Sequence, residues 1–289
     1  MKYSVYPLAI LAVLSCYPKS ENTSENQNFE VITKLPKKLK ELSGMAVSSG
    51  PKTIWGIEDQ GNKNAIYAFG ENGKLISETL VENTENTDWE DLIKDKENNI
   101  YIGDFGNNDN DRKNLKILKV DLKNPEQETT KVIQTTAFHY EGQTEFPPKK
   151  SHWLYDCEAF VEKDGYFYLF TKNRSKGFDG TFYVFQIPNK EGNFEAKKIA
   201  TLQLEGGYND AAITSASINS KNQIALLTHK NLYLVSDFFK TNFKNPQIKK
   251  LPFGHESQKE ALVFINNNTV LIADEKDGKD TGNLYRFEF

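Results

Sequence analysis

Asp156-Cys-Glu-Ala-Phe-Val161, Tyr166-Phe-Tyr-Leu-Phe-Thr-Lys172 and Thr181-Phe-Tyr-Val-Phe185 decide how this chain folds. Three short runs of β-branched and aromatic residues follow one another across polar gaps. The first opens on acids and the second closes on a charge. Such runs, too short for helices and bounded by turn residues, read as consecutive antiparallel strands.

The pattern recurs on both sides. Upstream lie Glu41-Leu-Ser-Gly-Met-Ala-Val47, Thr53-Ile-Trp-Gly-Ile-Glu-Asp59 and Ala65-Ile-Tyr-Ala-Phe69. Asp88-Trp-Glu-Asp-Leu-Ile93, Asn99-Ile-Tyr-Ile-Gly-Asp104 and Leu115-Lys-Ile-Leu-Lys-Val120 follow. Downstream lie Asp210 to Ile218, Gln223 to His229 and Asn231 to Val235, then Glu260 to Ile265, Thr269 to Glu275 and Asn283 to Phe287. A fourth β-rich stretch ends the first four units, and no long amphipathic helix interrupts them. Four strands per unit, repeating at about 50 residues, are expected of an all-β β-propeller. Five units share the chain from Phe29 at about 52 residues each; six at about 43 would need a further unit between Asp121 and Tyr155. The last unit lacks a fourth strand, and Phe29-Glu-Val-Ile-Thr-Lys-Leu35 belongs to none. It is expected to pair with the last unit and close the ring, which would remove two exposed sheet edges.

Met1 to Cys16 reads MKYSVYPLAILAVLSC, with one Lys before an apolar run too short to span a bilayer. The ending Val13-Leu-Ser-Cys16 resembles a bacterial lipobox. It implies a signal peptide over residues 1–15, lipidation of Cys16 and a polar tether to residue 28. The domain then runs over 29–289. The expected address is the bacterial cell envelope, as an outer-membrane lipoprotein held only by its lipid. Lys plus Arg number 36 against 40 Asp plus Glu, giving −4, which carries no electrostatic footprint for nucleic acid. Two Cys and four scattered His exclude a disulfide framework and argue against zinc.

Glu41-Leu-Ser-Gly with Trp55…Glu58-Asp59-Gln-Gly-Asn62, Asp88-Trp-Glu-Asp-Leu with Gly103-Asp-Phe-Gly-Asn107-Asn108, and Asp156-Cys-Glu158-Ala with Phe170-Thr-Lys172 together resemble secreted bacterial propellers of the SdiA-regulated, NHL-like and phytase-esterase-like group. The resemblance covers nearly the whole domain and implies a fold and a candidate face rather than a reaction. At unit four the chain departs from it, since Asp210-Ala-Ala replaces a Glu-containing opening.

In each unit the start of the first strand and the end of the second share one face near the axis. The first strands bring Glu41, Glu90, Glu158, Asp210 and Glu260 to it; the second bring Glu58-Asp59, Asp104, Lys172, His229 and Asp274-Glu275. Any one acid could simply cap a backbone N–H. A ring of them needs cations, and hard oxygen donors suit Ca²⁺. Glu41, Glu90, Asp104, Glu158, Glu260 and Asp274 are the expected metal ligands, and Glu58, Asp59, Asn107, Lys172, Arg174 and His229 the expected ligand-binding set. Glu158 and Lys172 are the candidates for catalysis. Local cations such as Lys172, Arg174, Lys259 and His229 could instead pair the acids internally. The Asn/Asp-rich loop from Asn107 to Asp111 lacks the closing Glu of an EF-hand and reads as a solvated turn. Three functions remain open. The first is a monomeric envelope propeller binding a small molecule, glycan or envelope protein through an acidic, calcium-loaded face. The others are a calcium-dependent hydrolase of phosphoesters or lactones, and a scaffold with internally paired acids.

Overall fold

The computed structural model describes Met1 and residues 28–48, 53–276 and 281–289. Cys16, the signal segment and the tether lie outside the described residues. Twenty strands dominate: β1 (Asn28–Lys34) stands first, and the rest fall into successive groups. Group one is β2 (Leu42–Val47), β3 (Thr53–Glu58), β4 (Ala65–Gly70) and β5 (Leu75–Glu82). Group two is β6 (Trp89–Lys94), β7 (Ile100–Asp104), β8 (Leu115–Val120) and β9 (Thr129–Tyr140). Group three is β10 (Asp156–Lys163), β11 (Tyr166–Lys172), β12 (Thr181–Pro188) and β13 (Gly192–Gln203). Group four is β14 (Ser215–Ile218), β15 (Ile224–Leu227), β16 (Asn231–Ser236) and β17 (Gln247–Pro252). The last is β18 (Lys259–Asn266), β19 (Thr269–Asp274) and β20 (Asn283–Glu288), and β1 pairs antiparallel with β20 as its fourth member.

Within every group consecutive strands pair antiparallel. The stretch 121–155, where a sixth unit would have to lie, carries one long strand, β9, and a single turn of 3₁₀ helix at Lys150–His152. β9 completes group two beside β8. It also runs parallel to β5 at Thr129–Lys131 and to β13 at Thr136–Tyr140, so the outer edges of three groups satisfy one another's backbone.

The first strands carry apolar residues on both faces because both are covered. β2 lies beside β6, β6 beside β10, β10 beside β14, β14 beside β18 and β18 beside β2. Apolar clusters fill the spaces between successive groups. One of them, holding Leu42, Met45, Ala261 and Leu271, lies between the last group and the first. Gly44 shows how closely these strands approach: a Cβ there would sit 2.3 Å from the Leu92 nitrogen. Asp91, fully buried, ties three first strands together. Its Oδ1 accepts the Leu92 N–H at 2.9 Å and the Ser215 hydroxyl at 3.3 Å, and its Oδ2 accepts the Phe160 N–H at 3.2 Å. Beyond it, at the far ends of the first strands, Met45, Ile93, Val161, Ile218 and Phe264 line a cavity of about 240 Å³ together with Lys94, Glu162 and Ser217.

Group four differs from its expected form. Tyr208–Ala211 form a short helix, and the first strand begins only at Ser215. Asp210 is therefore on the helix rather than at a strand start. Its carbonyl accepts from Asn231 Nδ2 and Tyr233 Oη. No helix among the described residues is long and apolar enough to cross a membrane.

Candidate functional site

One backbone irregularity builds the site. In groups one, two, three and five the pairing of first and second strand slips by a residue at Ser43, Glu90, Glu158 and Glu260. A β-bulge bends its strand and re-aims the extra side chain. All four bulged residues line one polar cavity of about 320 Å³ at the near end of the first strands. Side chains alternate along a strand. Hence Glu58, Asp104 and Asp274, paired opposite Leu42, Trp89 and Lys259 just before each bulge, do not line this cavity, whereas Asp59 and Glu275, one residue on, do. Lys172 ends the second strand of group three, His229 stands two residues beyond that of group four, and both line the same mouth, as do Asn108, Arg174, Tyr208 and Gln258.

The third group's corner is electrically closed. Lys172 Nζ donates to Glu158 Oε2 at 3.0 Å, Arg174 Nη2 to Glu158 Oε1 at 2.7 Å, and Arg174 Nε to Asp156 Oδ2 at 2.6 Å. Arg174 Nη1 reaches the Tyr208 hydroxyl at 3.1 Å. Burial alone would raise the Glu158 carboxyl, but Lys172 and Arg174 outweigh it and hold it below the usual range. Burial, with Glu158 beside it, pushes Asp156 up to about 7.

The corner between groups one and two has no such matching. Asp59, Asp88 and Glu90 place one carboxylate oxygen each within 4.8 Å of one another. Burial, then Asp59, drives Asp88 up to about 8. Burial, then Glu158, drives Glu90 well above the carboxylate range, and burial also raises Asp59. The nearest cation, Arg112, stands 3.9 Å from Asp88 Oδ2 and is bonded instead to Asp104 Oδ1 at 2.8 Å and the Gly106 carbonyl at 2.6 Å. Asp88 is 5% exposed and its Oδ1 has no donor among the described residues; its carboxyl can bond only to that of Asp59, when one of the two carries a proton. Gly106 packs against the pair: a Cβ there would fall 2.2 Å from Glu90 Oε1 and 2.5 Å from Asp88 Oδ2. Three convergent carboxylates, one of them with a buried oxygen that has no donor among the described residues, are a donor set that fits Ca²⁺ or a similar divalent ion.

A third wall adds His229, whose Nε2 lies 2.9 Å from Glu260 Oε1, and Glu275, pushed up to about 8 by burial and by Glu260. Behind them Lys259 is fully buried. It donates to Ser257 Oγ at 2.8 Å and the His229 carbonyl at 3.1 Å, among the rings of Phe29, Phe253 and Tyr285 at 5.2–5.7 Å. Burial lowers its ammonium to about 8.

Of the residues expected from sequence, Asp59, Glu90, Glu158, Lys172, Arg174, His229, Glu260 and Glu275 meet at this mouth. The others are placed elsewhere. Glu41 accepts from Asn62 Nδ2 at 2.6 Å on the exposed rim, and Glu58 accepts the Lys40 N–H at 2.8 Å. Asp104 is held between Arg112 and, at 3.4 Å, Lys116. Asn107 braces its own loop: its N–H donates to Asp156 Oδ1 at 2.7 Å and its Nδ2 to the Tyr155 carbonyl at 2.9 Å. Asp210 approaches Lys250 at 3.8 Å, and Asp274 accepts from Tyr285 Oη and the Asn283 N–H beside a neighbouring cavity of about 590 Å³. Sequence reasoning passed over Asp88, Ser43, Asn108, Tyr208 and Gln258. The signal for Asp88 was available, since it stands two residues before Glu90 and so shares its side of an extended chain.

No family model matches the chain, and no curated protein is similar to it in sequence. Solved structures of propeller type do resemble it. The PQQ-bound aldose sugar dehydrogenase from Streptomyces coelicolor superposes with a TM-score of 0.53 at 9% identity, over 91% of this chain and 98% of that one. A virginiamycin B lyase from Staphylococcus aureus gives 0.47 at 9% identity, covering 91% and 100%. A gluconolactonase from Xanthomonas campestris gives 0.44 at 8%, covering 91% and 90%. At such identities the likeness to the dehydrogenase speaks for the fold alone.

Proposed function

We propose that this chain is a closed five-bladed propeller that binds its ligand at the acidic mouth through a divalent cation held by Asp59, Asp88 and Glu90. The cyclic order of the first strands and the pairing of β1 with β20 support the blade count. One observation carries the cation: three carboxylates converge within 4.8 Å, and the buried Asp88 Oδ1 has no donor among the described residues. A bound ion would neutralise these acids and offer a Lewis-acidic site to a ligand oxygen. The internal-pairing reading suits the Asp156–Glu158 corner but leaves this one unexplained.

Thermal unfolding with calcium and then with excess chelator tests the proposal. At about 100 times Kd, linkage gives roughly 2.7 kcal/mol, or about 5–11 °C for a domain of this size. No shift with calcium, magnesium or manganese removes the cation from the reading.

A calcium-dependent hydrolase is the second reading. Glu275, held protonated to about pH 8, shares the cavity with the His229–Glu260 pair. A proton donor and a candidate base thus stand beside the cation corner.

We also infer an envelope lipoprotein anchored through Cys16. Asn28 pairs with Glu288, so the domain is entered at the end of the last sheet away from the mouth. Cys16→Ser is expected to move the protein from the membrane to the soluble fraction.

A further inference from the structure

The positive groups at the mouth are all spoken for. Both carboxylate-directed nitrogens of Arg174 and the ammonium of Lys172 end on Asp156 and Glu158, and the remaining guanidinium nitrogen ends on Tyr208. His229 is taken by Glu260, and Arg112 by Asp104 and a carbonyl. Lys230, beside His229, pairs with Glu256 at 2.9 Å. An entering phosphate would find no free side-chain cation there among the described residues, only a metal ion held by the acidic corner, and would face Glu158, Glu260 and Glu275 across one small cavity.

What remains unused is neutral. The side-chain amides of Asn108 and Gln258, which line the cavity, make no hydrogen bond among the described residues, and the Tyr208 hydroxyl keeps its own proton to donate. These groups match hydroxyl and carbonyl oxygens. We propose that Asp156 and Glu158 are built-in anions filling the cationic corner, so that Lys172 and Arg174 are closed to phosphate-type ligands and the mouth favours a neutral, oxygen-rich molecule such as an ester, lactone or polyol. Glu158 is then a specificity-determining residue. This rests on the mouth being the ligand site, as proposed above, and it separates the two substrate classes that a hydrolase reading leaves open.

The test is calorimetric titration of phenyl phosphate into the full-length protein, with and without calcium. Calcium affinity is measured on the same samples, so failure of the cation reading appears separately. The calcium-free wild type is expected not to bind phenyl phosphate, and any binding that calcium brings is expected to be indifferent to Arg174→Met. Glu158→Gln, which frees Lys172 and one arm of Arg174, is expected to gain at least about tenfold in affinity, and adding Arg174→Met should erase the gain. Should Glu158→Gln not fold, Asp156→Asn frees the Nε arm and reads the same point. Binding by the wild type that Arg174→Met weakens overturns the proposal. So does equal absence of binding in the wild type and in every variant that folds.

Discussion

Two corners of one mouth are built alike and charged differently. Glu90 and Glu158 occupy the same bulge in neighbouring sheets, and both are almost wholly buried. Around Glu158 the chain supplies a Lys and an Arg, and its carboxyl is held low. Around Glu90 it supplies Asp59 and Asp88 instead, and all three carboxyls are driven up. A buried ion pair and a buried cluster of like charges answer opposite questions. The first is complete as it stands; the second is complete only with protons or a cation added.

The sharpest way to break this comparison is to remove one charge from each corner. Lys172→Met leaves Glu158 buried with half its compensation and is expected to cost about 3–5 kcal/mol in urea unfolding. Glu90→Gln relieves repulsion and should be neutral or stabilising by up to about 1 kcal/mol without calcium, while abolishing the calcium-induced rise in Tm. Equal losses in the two variants would mean that the corners are not different in kind. Gly106→Ala probes the packing of the acidic corner directly. Its methyl would crowd Asp88 and Glu90, costing about 1–3 kcal/mol and removing the calcium response. A variant that keeps that response places the ion elsewhere.

The sequence made the two corners look the same. Repetition was readable because each unit must bury a strand on both faces, which leaves runs such as Tyr166 to Phe170 unmistakable. The spare N-terminal strand and its partner followed from counting. Orientation at the mouth did not. A bulge is a one-residue slip without a composition of its own, so Glu58, Asp104 and Asp274 looked equivalent to Asp59 and Glu275 although alternation separates them. Ser43 was invisible for the same reason, because Glu41, two residues earlier, carried the charge the pattern sought. In the fourth unit the pattern placed Asp210 on a strand that starts only at Ser215.

Acidity sharpens the comparison further. Asp88 is raised from 3.8 to about 8 in the folded protein. A raised carboxyl contributes stability that is fully present below the unfolded value and is lost as pH rises through the folded one. Metal-free protein is therefore expected to lose stability between about pH 4 and pH 8 from this corner. Calcium affinity should rise over the same interval as protons leave. Lys259 works in a later window: lowered from 10.5 to about 8, it contributes stability that is present above 10.5 and lost as pH falls to about 8. Calcium titrations at pH 5.5, 7 and 8.5 check the first trend, and an affinity flat with pH would detach the ion from Asp88.

The smallest effect is expected at Glu58, which the sequence ranks beside Asp59. Its carboxylate receives the Lys40 N–H on the far side of the strand from the mouth. Glu58→Gln keeps an acceptor at that position, so the loss should be about 1 kcal/mol or less, with calcium affinity unchanged. Asp59→Asn, one residue on, should weaken calcium at least about tenfold with little effect on stability. The two neighbours differ in sequence by a single step and in structure by the pleat. If both variants weakened calcium equally, the pleat would not be separating side chains at the mouth, and the placing of the ion at Asp59 would lose its structural basis.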